Sequence, residues 1–430
     1  MPMSELKYVV AINDVQPAMP KAVGDLAKLL GEELAGLALV DMRYEHHPMR
    51  KTQPGFEYRI IDFFNDSELK QLMDEIGDQI IVATCRSERS MPEFMKLIPL
   101  LNHRLKMPSV ESIAIATNKY LQKEAIAKLY PDIVAKGYRI KSYDEAEVDE
   151  MASNLKFPLI VKPAGLAASL MVSAVQDLDE LKTALKTAFE QIETVYKEVK
   201  GRGEFEMLFE EMIDGEMYSL DSYVDNDQNT MHLPMCRVLT GKDIGFNDYY
   251  GYVRRMPTDL SAEELKAAEQ VSNKAIEAID LRNATAHIEL FKSKDGWKLI
   301  EINARVGGYR DSMYRLSYGI NHSLNDFLIR LDPSKVTMPG ELIMPSAAFN
   351  FYAKAEGILT SITGAEAVKE LKSTQWVGVN KEVGDKCLYS RHGGSPIIES
   401  ILAHRDPAQL DADIARQEAL IKFQTKPATG

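Results

Sequence analysis

Short apolar runs alternate with stretches of helical spacing along the first hundred residues. Tyr8-Val9-Val10-Ala11-Ile12 predicts a buried strand. Val23 to Leu34 carries Leu26, Leu29, Leu30 and Leu34 at helical spacing and predicts a helix. Leu37 to Val40 and Gln79 to Ala83 are further runs of strand length. Over Leu6 to about Pro108 this alternation predicts a small open α/β domain. The region has no GxGxxG run, so nothing there points to dinucleotide chemistry.

The pattern then changes. Asn118 to Tyr130 predicts a helix stopped by Pro131. Phe157 to Pro163 predicts a buried strand closed by proline, with a loop from Ala164 to Leu170. Asp177 caps a predicted helix, Glu180 reaches back, and Leu178, Leu181, Leu185, Ile192 and Val195 form its apolar stripe. Gly201-Arg202-Gly203 predicts a mobile turn. Phe205 to Ile213 and Met217 to Val224 predict two strands joined at Asp214-Gly215. Thr240 to Asp259, rich in Gly, Asp, Tyr and Arg, predicts a long loop over a site. Ser261 and Glu264 open a helix that runs to Ile279. From about Glu341 come short strands and turns, then an amphipathic helix near Pro407 to Ile421 and a polar tail.

The most informative stretch is Ala284 to Gly308. Two strands, Ala286 to Phe291 and Trp297 to Asn303, flank Lys294-Asp295-Gly296. A three-residue loop with a left-handed glycine predicts a hairpin pairing Phe291 with Leu299, Glu289 with Glu301 and His287 with Asn303. Alternation puts these side chains on one face. Directly opposed residues have Cβ atoms about 4.5–5.5 Å apart. Two carboxylates at about 5 Å repel by roughly 3 kcal/mol at an effective dielectric of 20, and by about 0.8 kcal/mol in water. A partly buried acid pair therefore calls for a cation. Mg²⁺ suits it, taking one or two carboxylates plus substrate phosphates. Asn303 offers a third oxygen, and Arg305 follows on the same face to meet an anion. His287 reads as a satisfied core histidine.

Bulk properties narrow the class. With 430 residues, 45% of them hydrophobic, the chain can build two or three domains. A net charge of -13 argues against a nucleic-acid partner. Cys85, Cys236 and Cys387 have no metal-ligand spacing and read as reduced, buried thiols of a cytoplasmic protein. Met1 to Val10 has no apolar core behind a basic start, and no run reaches the roughly 20 residues that span a bilayer. No membrane partner is expected, and a homodimer is only the base-rate expectation.

Glu289 followed by Leu299-Ile300-Glu301-Ile302-Asn303-Ala304-Arg305-Val306-Gly307-Gly308 resembles the metal-binding signature of ATP-grasp enzymes. The resemblance covers about Asn118 to Leu331, and the overall layout looks like the bacterial L-amino-acid ligases. It implies an α/β (α+β) ATP-grasp fold with an N-terminal open α/β domain, 1–110, and a small subdomain, 111–200, whose phosphate loop lies within about 150–212. The remainder, 201–430, would hold the metal and substrate site and a C-terminal mixed-sheet subdomain from about 340. By the same resemblance Lys119 and Lys162 contact ATP phosphates, and Ser169 takes the place of the loop serine. Glu210 faces the adenine amino group, Glu211, Met212 and Ile213 line the base, and Glu216 binds ribose. The loop Pro163 to Leu170 departs from the family by keeping a single glycine, Gly165.

Glu289, Glu301 and Asn303 would then hold Mg²⁺ or Mn²⁺, and Arg305 would stabilise an acyl phosphate. Substrate would meet Arg254, Arg255, Gly307, Gly308 and Arg310, with Tyr249 and Tyr250 as walls. The implied activity is an ATP-dependent ligase joining a small carboxylate, an amino acid, to an amine. Two alternatives stand beside it. One is another ATP-grasp activity, biotin-carboxylase-like or acting on a non-amino acid. The other is a nucleotide-binding regulator without catalysis.

Overall fold

The computed structural model describes residues 6–45, 53–166, 169–198, 204–246 and 248–427. The turn expected at Gly201 to Gly203, and Ala167 and Ala168 of the loop expected to meet phosphate, lie outside the described residues.

Four sheets form among the described residues. The first is parallel, with strands in the order Phe56–Ile61, Leu34–Asp41, Lys7–Ile12 and Ile80–Cys85. Val9, Val10, Ala11 and Ile12 are all buried, as a strand covered on both faces requires. The helix packed on it runs Met19–Leu30, four residues earlier than its apolar spacing suggests. Gly31, at φ 68°, ends it in a left-handed cap. Leu34, read as the last turn of that helix, instead opens the next strand.

A small antiparallel sheet joins Gly137–Ile140, Met207–Glu211, Leu159–Pro163 and Ser173–Val175. The helix Leu178–Glu198 covers it through Leu181, Leu185 and Ile192. The largest sheet runs Gly296–Asn303, Ala284–Ser293, Gly215–Val224, Cys236–Thr240, Gly251–Met256, Ser346–Phe351, Ile398–Ala403 and Thr374–Val379, with Thr230–His232 paired beside Gly215–Val224. Gly251–Met256 corrects the long loop expected over Thr240 to Asp259. Only residues 241–250 connect the two strands, because Tyr252 and Val253 are buried between neighbours. A third antiparallel sheet, near the C-terminus, joins Lys386–Cys387, Gly357–Thr363 and Lys422–Lys426.

The signature hairpin has a tighter turn than expected. Ser293 pairs with Gly296, leaving two residues in the loop, and Gly296 has φ 99°. A bulge between Glu289 and Leu290 then absorbs one residue, Ile300, on the facing strand. Phe291 therefore pairs with Lys298 and not with Leu299. Beyond the bulge the expected pairs return, Glu289 with Glu301 and His287 with Asn303.

Asp326, on the helix His322–Leu331, ties the parallel sheet to this hairpin. It accepts hydrogen bonds from Thr84 at 2.7 Å and Thr285 at 2.6 Å, and pairs with Arg330 at 3.2 Å and Arg86 at 3.5 Å. Burial would raise its carboxyl, but Arg330, Arg86 and the two threonines hold it well below the usual carboxylate range. A depressed folded pKa adds stability that is complete above the unfolded value, about 3.9, and fades as pH falls through the folded one. Asp326→Asn should therefore flatten the fall in Tm on acidification below about pH 4. Parallel melts that stay parallel through that range would refute this.

Candidate active site

A cavity of about 340 Å³ opens between the small antiparallel sheet, the signature hairpin and the end of the N-terminal parallel sheet. Asn118 caps the helix Lys119–Leu129 by accepting from the backbone of Tyr120 and Leu121. Lys119 is stitched to the loop after Pro163 twice, through its backbone to Ala164 O and through Nζ to Leu166 O, both at 2.8 Å. Its Nζ also lies 3.2 Å from Glu301 and 3.8 Å from Glu88. Burial would lower the Lys119 pKa, but Glu301 and then Glu88 push it up.

Lys162 is the penultimate residue of the strand Leu159–Pro163 and meets Glu210 at 2.7 Å. Lys123, one helical turn beyond Lys119, meets the same carboxylate at 2.8 Å. All three groups are buried. Glu210 thus presents its side chain to two lysines. Burial works to raise its carboxyl, and Lys123 and Lys162 outweigh that and lower it. Burial dominates at Lys123, whose pKa is lowered. Glu211, Met212 and Ile213 line the cavity beside Ile160, Met217 and Phe291, forming an apolar slot. Ser169 lines it too, with its backbone left-handed at φ 55°. Glu216 is away from the lining, 54% exposed at its side chain and paired with Arg237 at 3.0 Å.

The acids share one face, as alternation demands. Glu289 keeps 24% of its side chain exposed, and Glu301 faces it across the hairpin. Asn303 donates to Glu301 Oε1 at 3.0 Å. Burial alone would raise the Glu301 carboxyl, yet Lys119, the Asn303 amide, Arg305 and Lys162 hold it at about 2. Among the described residues no group of three or more His, Cys, Asp or Glu side chains is placed to cage a metal ion. Two opposed hard carboxylates still fit Mg²⁺, which completes its shell with substrate phosphates and water.

Beneath this face lies a buried polar knot. Asp221 accepts from His287 Nδ1 at 2.7 Å, from His322 Nε2 at 2.7 Å and from the Gly307 backbone at 2.8 Å. His287 Nε2 approaches Glu289 at 3.4 Å, and Tyr223 and His322 share a hydrogen bond of 2.5 Å. Gly307 must be glycine, because a Cβ there would overlap the His287 ring. The histidine is thus satisfied inside the core, as its sequence context suggests.

At the other end Arg305 reaches Glu88 at 3.2 Å and Val306 O at 3.2 Å. Gly308 and Arg310 line the cavity with it. Arg310 is buried, bonded to Ser219 Oγ and to Gly308 O, and its Nε has no hydrogen-bond partner. Arg254 stands between the rings of Tyr250, 5.7 Å away, and Tyr309, 5.3 Å away. Tyr249 and Tyr250 line the same wall. Arg255 is a correction. Next to Arg254 on a strand, it faces the opposite side and pairs with exposed Asp411. The end of the loop that follows Pro163 is roofed by the C-terminal region, since Met171 donates its backbone N–H to Arg391 O at 2.9 Å and Leu170 lies beside Gly393.

Sequence reasoning missed Glu88, Lys123 and Asp221. Lys123 could have been found from its four-residue spacing after Lys119. Glu88 sits in a charged run, Arg86-Ser87-Glu88-Arg89, just past a parallel strand, where such sheets bind ligands. Asp221 carries one hint, a lone acid inside an apolar strand.

The chain is similar to known proteins. A family profile described as "ATP-grasp domain" matches residues 155–312. A D-alanine–D-alanine ligase from Halothermothrix orenii is 29% identical over 246 residues, covering 53% of this chain and 67% of that one. One from Lactococcus lactis subsp. cremoris is 26% identical over 227 residues, covering 50% and 60%. The chain spans about three fifths to two thirds of the length of such curated relatives. Among solved structures, an L-amino acid ligase from Bacillus licheniformis superposes with a TM-score of 0.79 at 20% identity, over 98% of this chain and 99% of that one. That likeness is one of fold.

Proposed function

Because this chain carries an ATP-grasp domain within an ATP-grasp fold, we propose that it is an ATP-dependent carboxylate–amine ligase acting on an amino acid, and that the cavity is its active site. The observation that carries this reading is the joint placement of Glu289, Glu301, Lys119, Lys162 and Arg305 around one chamber. ATP transfers its γ-phosphoryl group to the substrate carboxylate, giving an acyl phosphate and ADP. The amine then attacks the acyl carbon, forming the amide and expelling phosphate.

The chain's part is positioning and charge stabilisation. Lys119 and Lys162 meet phosphate oxygens. The slot of Ile160, Met212 and Ile213 takes the base. Glu289, Glu301 and Asn303 hold a divalent cation, Mg²⁺ or Mn²⁺, which when bound neutralises charge on the phosphates. Arg305 and the Gly308 region face the charge that builds on the acyl oxygens. Arg254 and Arg310, two guanidinium groups without a carboxylate partner among the ion pairs of the described residues, suit a substrate carboxylate.

The purified chain, ATP, Mg²⁺ and a pool of amino acids test the reading, with phosphate release and new masses followed together. Phosphate with a condensation product is expected. Absence of phosphate with every acid offered, despite ATP binding, overturns catalysis and favours a nucleotide-binding regulator.

A further inference from the structure

We propose that a second, smaller cavity, away from the candidate active site, binds one phosphate-class oxyanion. The cavity holds about 90 Å³ and opens between the N-terminal parallel sheet, the segment 104–107 and the helix His322–Leu331. Arg104, Lys106 and Arg330 line it, with Val82, Leu105 and Leu331 as apolar walls. Among the described residues no carboxylate lines it. The inference is independent of the ligase reading above.

Arg330 is the inner wall of the site, being only 4% exposed. Its Nη1 is committed, donating to Asp326 O at 2.6 Å and lying 3.2 Å from the Asp326 carboxylate. Its Nε is buried with no hydrogen-bond partner. A buried donor left unpaired carries the full cost of its lost water, and an anion oxygen seated in the cavity relieves it. A guanidinium with one arm pinned and the rest of its fork free suits a planar or tetrahedral oxyanion better than an ammonium does.

Charge points the same way. Arg330 shares its only carboxylate among the described residues, Asp326, with Arg86. Arg104 and Lys106, both exposed, have no ion-pair partner among the described residues. Two unpaired cations at the rim match the charge of about −1.5 to −2 that a phosphate group carries at neutral pH. The apolar walls strengthen the attraction by keeping the local dielectric low. The volume admits one small ion with water and excludes a nucleoside. The ligand has two sources, free phosphate or the phosphoryl end of a larger monoester whose remainder stays in solvent.

The site is separate from the larger cavity. Val82 lies near the start of the strand Ile80–Cys85, and Glu88, which lines the larger cavity, lies past its other end. Among the described residues none lines both.

The test titrates inorganic phosphate into the full chain at constant ionic strength. Mg²⁺ and an ATP analogue that cannot transfer its γ-phosphoryl group keep the larger cavity filled. Calorimetry reads stoichiometry and Kd, and one saturable phosphate per chain is expected. Arg104→Glu combined with Lys106→Glu changes only exposed side chains and should raise Kd by at least about tenfold. Arg330→Lys keeps the charge, loses the fork and should weaken binding by about threefold or more. Glycerol phosphate repeats the titration. Equal affinity assigns the site to a phosphoryl end, and binding of phosphate alone assigns it to the free ion. No saturable binding to wild type, or an unchanged Kd in the double variant, overturns the proposal. So does phosphate that binds only when the analogue is left out, because it then belongs to the larger cavity. Binding that weakens in the double variant but never saturates is mere attraction to surface charge and overturns it too.

Discussion

Arg305→Ala should lower kcat/KM by about a hundred- to a thousandfold, the usual loss when a preorganised group facing transition-state charge is removed. The side chain is buried, and although burial works against its charge, Glu88 and Glu301 keep it firmly protonated. Its fork is fixed by Glu88 on one arm and by Val306 O on the other. Arg305→Lys should recover little, because a single ammonium cannot reproduce two parallel donors. Glu216→Ala is the control. Glu216 is half exposed and paired at the surface with Arg237, so its loss should cost no more than about 1 kcal/mol. Phosphate release under saturating ATP measures all three. Equal, small losses in Arg305→Ala and Glu216→Ala would remove the case for Arg305 as the group facing the acyl phosphate.

Asp221→Ala should have the largest effect on stability, about 3–5 kcal/mol, as expected when one partner of a buried charged network is deleted. Three donors lose their acceptor at once: His287, His322 and the Gly307 amide. Burial would raise the Asp221 carboxyl, but His287 and His322 hold it far below the usual range. Burial would lower the His287 pKa, and Asp221 raises it instead. The signs oppose each other. The aspartate contributes fully above its unfolded value of about 3.9, and the histidine contributes fully below its unfolded value of about 6.5. Their joint stabilisation is therefore greatest between these two pH values and declines on either side. Denaturant unfolding of wild type and variant across that range measures it. A difference below about 1 kcal/mol at its centre would mean the knot is not a structural anchor.

Much of the proposed catalytic face was legible before any coordinates. Strand alternation and a short turn suffice to oppose Glu289 to Glu301, because the pairing period of two leaves only two faces to choose from. The same reasoning misplaced Phe291, since a tighter turn and a bulge cancel and leave the distal pairs unchanged. The reading Val23 to Leu34 failed because spacing alone passes straight through Gly31, whereas the backbone stops there. The strand Gly251–Met256 was hidden by its two arginines, which look like loop chemistry but alternate across a sheet, one into the cavity and one to Asp411. Local pattern hints at Glu88 and Asp221 but does not assign their partners. Their partners lie 217 residues away at Arg305 and 101 residues away at His322, and such contacts depend on topology.

The backbone bond between Met171 and Arg391 makes the last fifth of the chain part of the proposed reaction chamber. The turn Ser390–His392 forms its ceiling, while Ile398–Ala403 beyond it is an internal strand of the largest sheet. A variant that lifts the turn and keeps the strand, such as Gly393→Trp beside Leu170, should let water compete with the amine for an activated acyl group. It should uncouple the two products, releasing phosphate without a matching yield of amide.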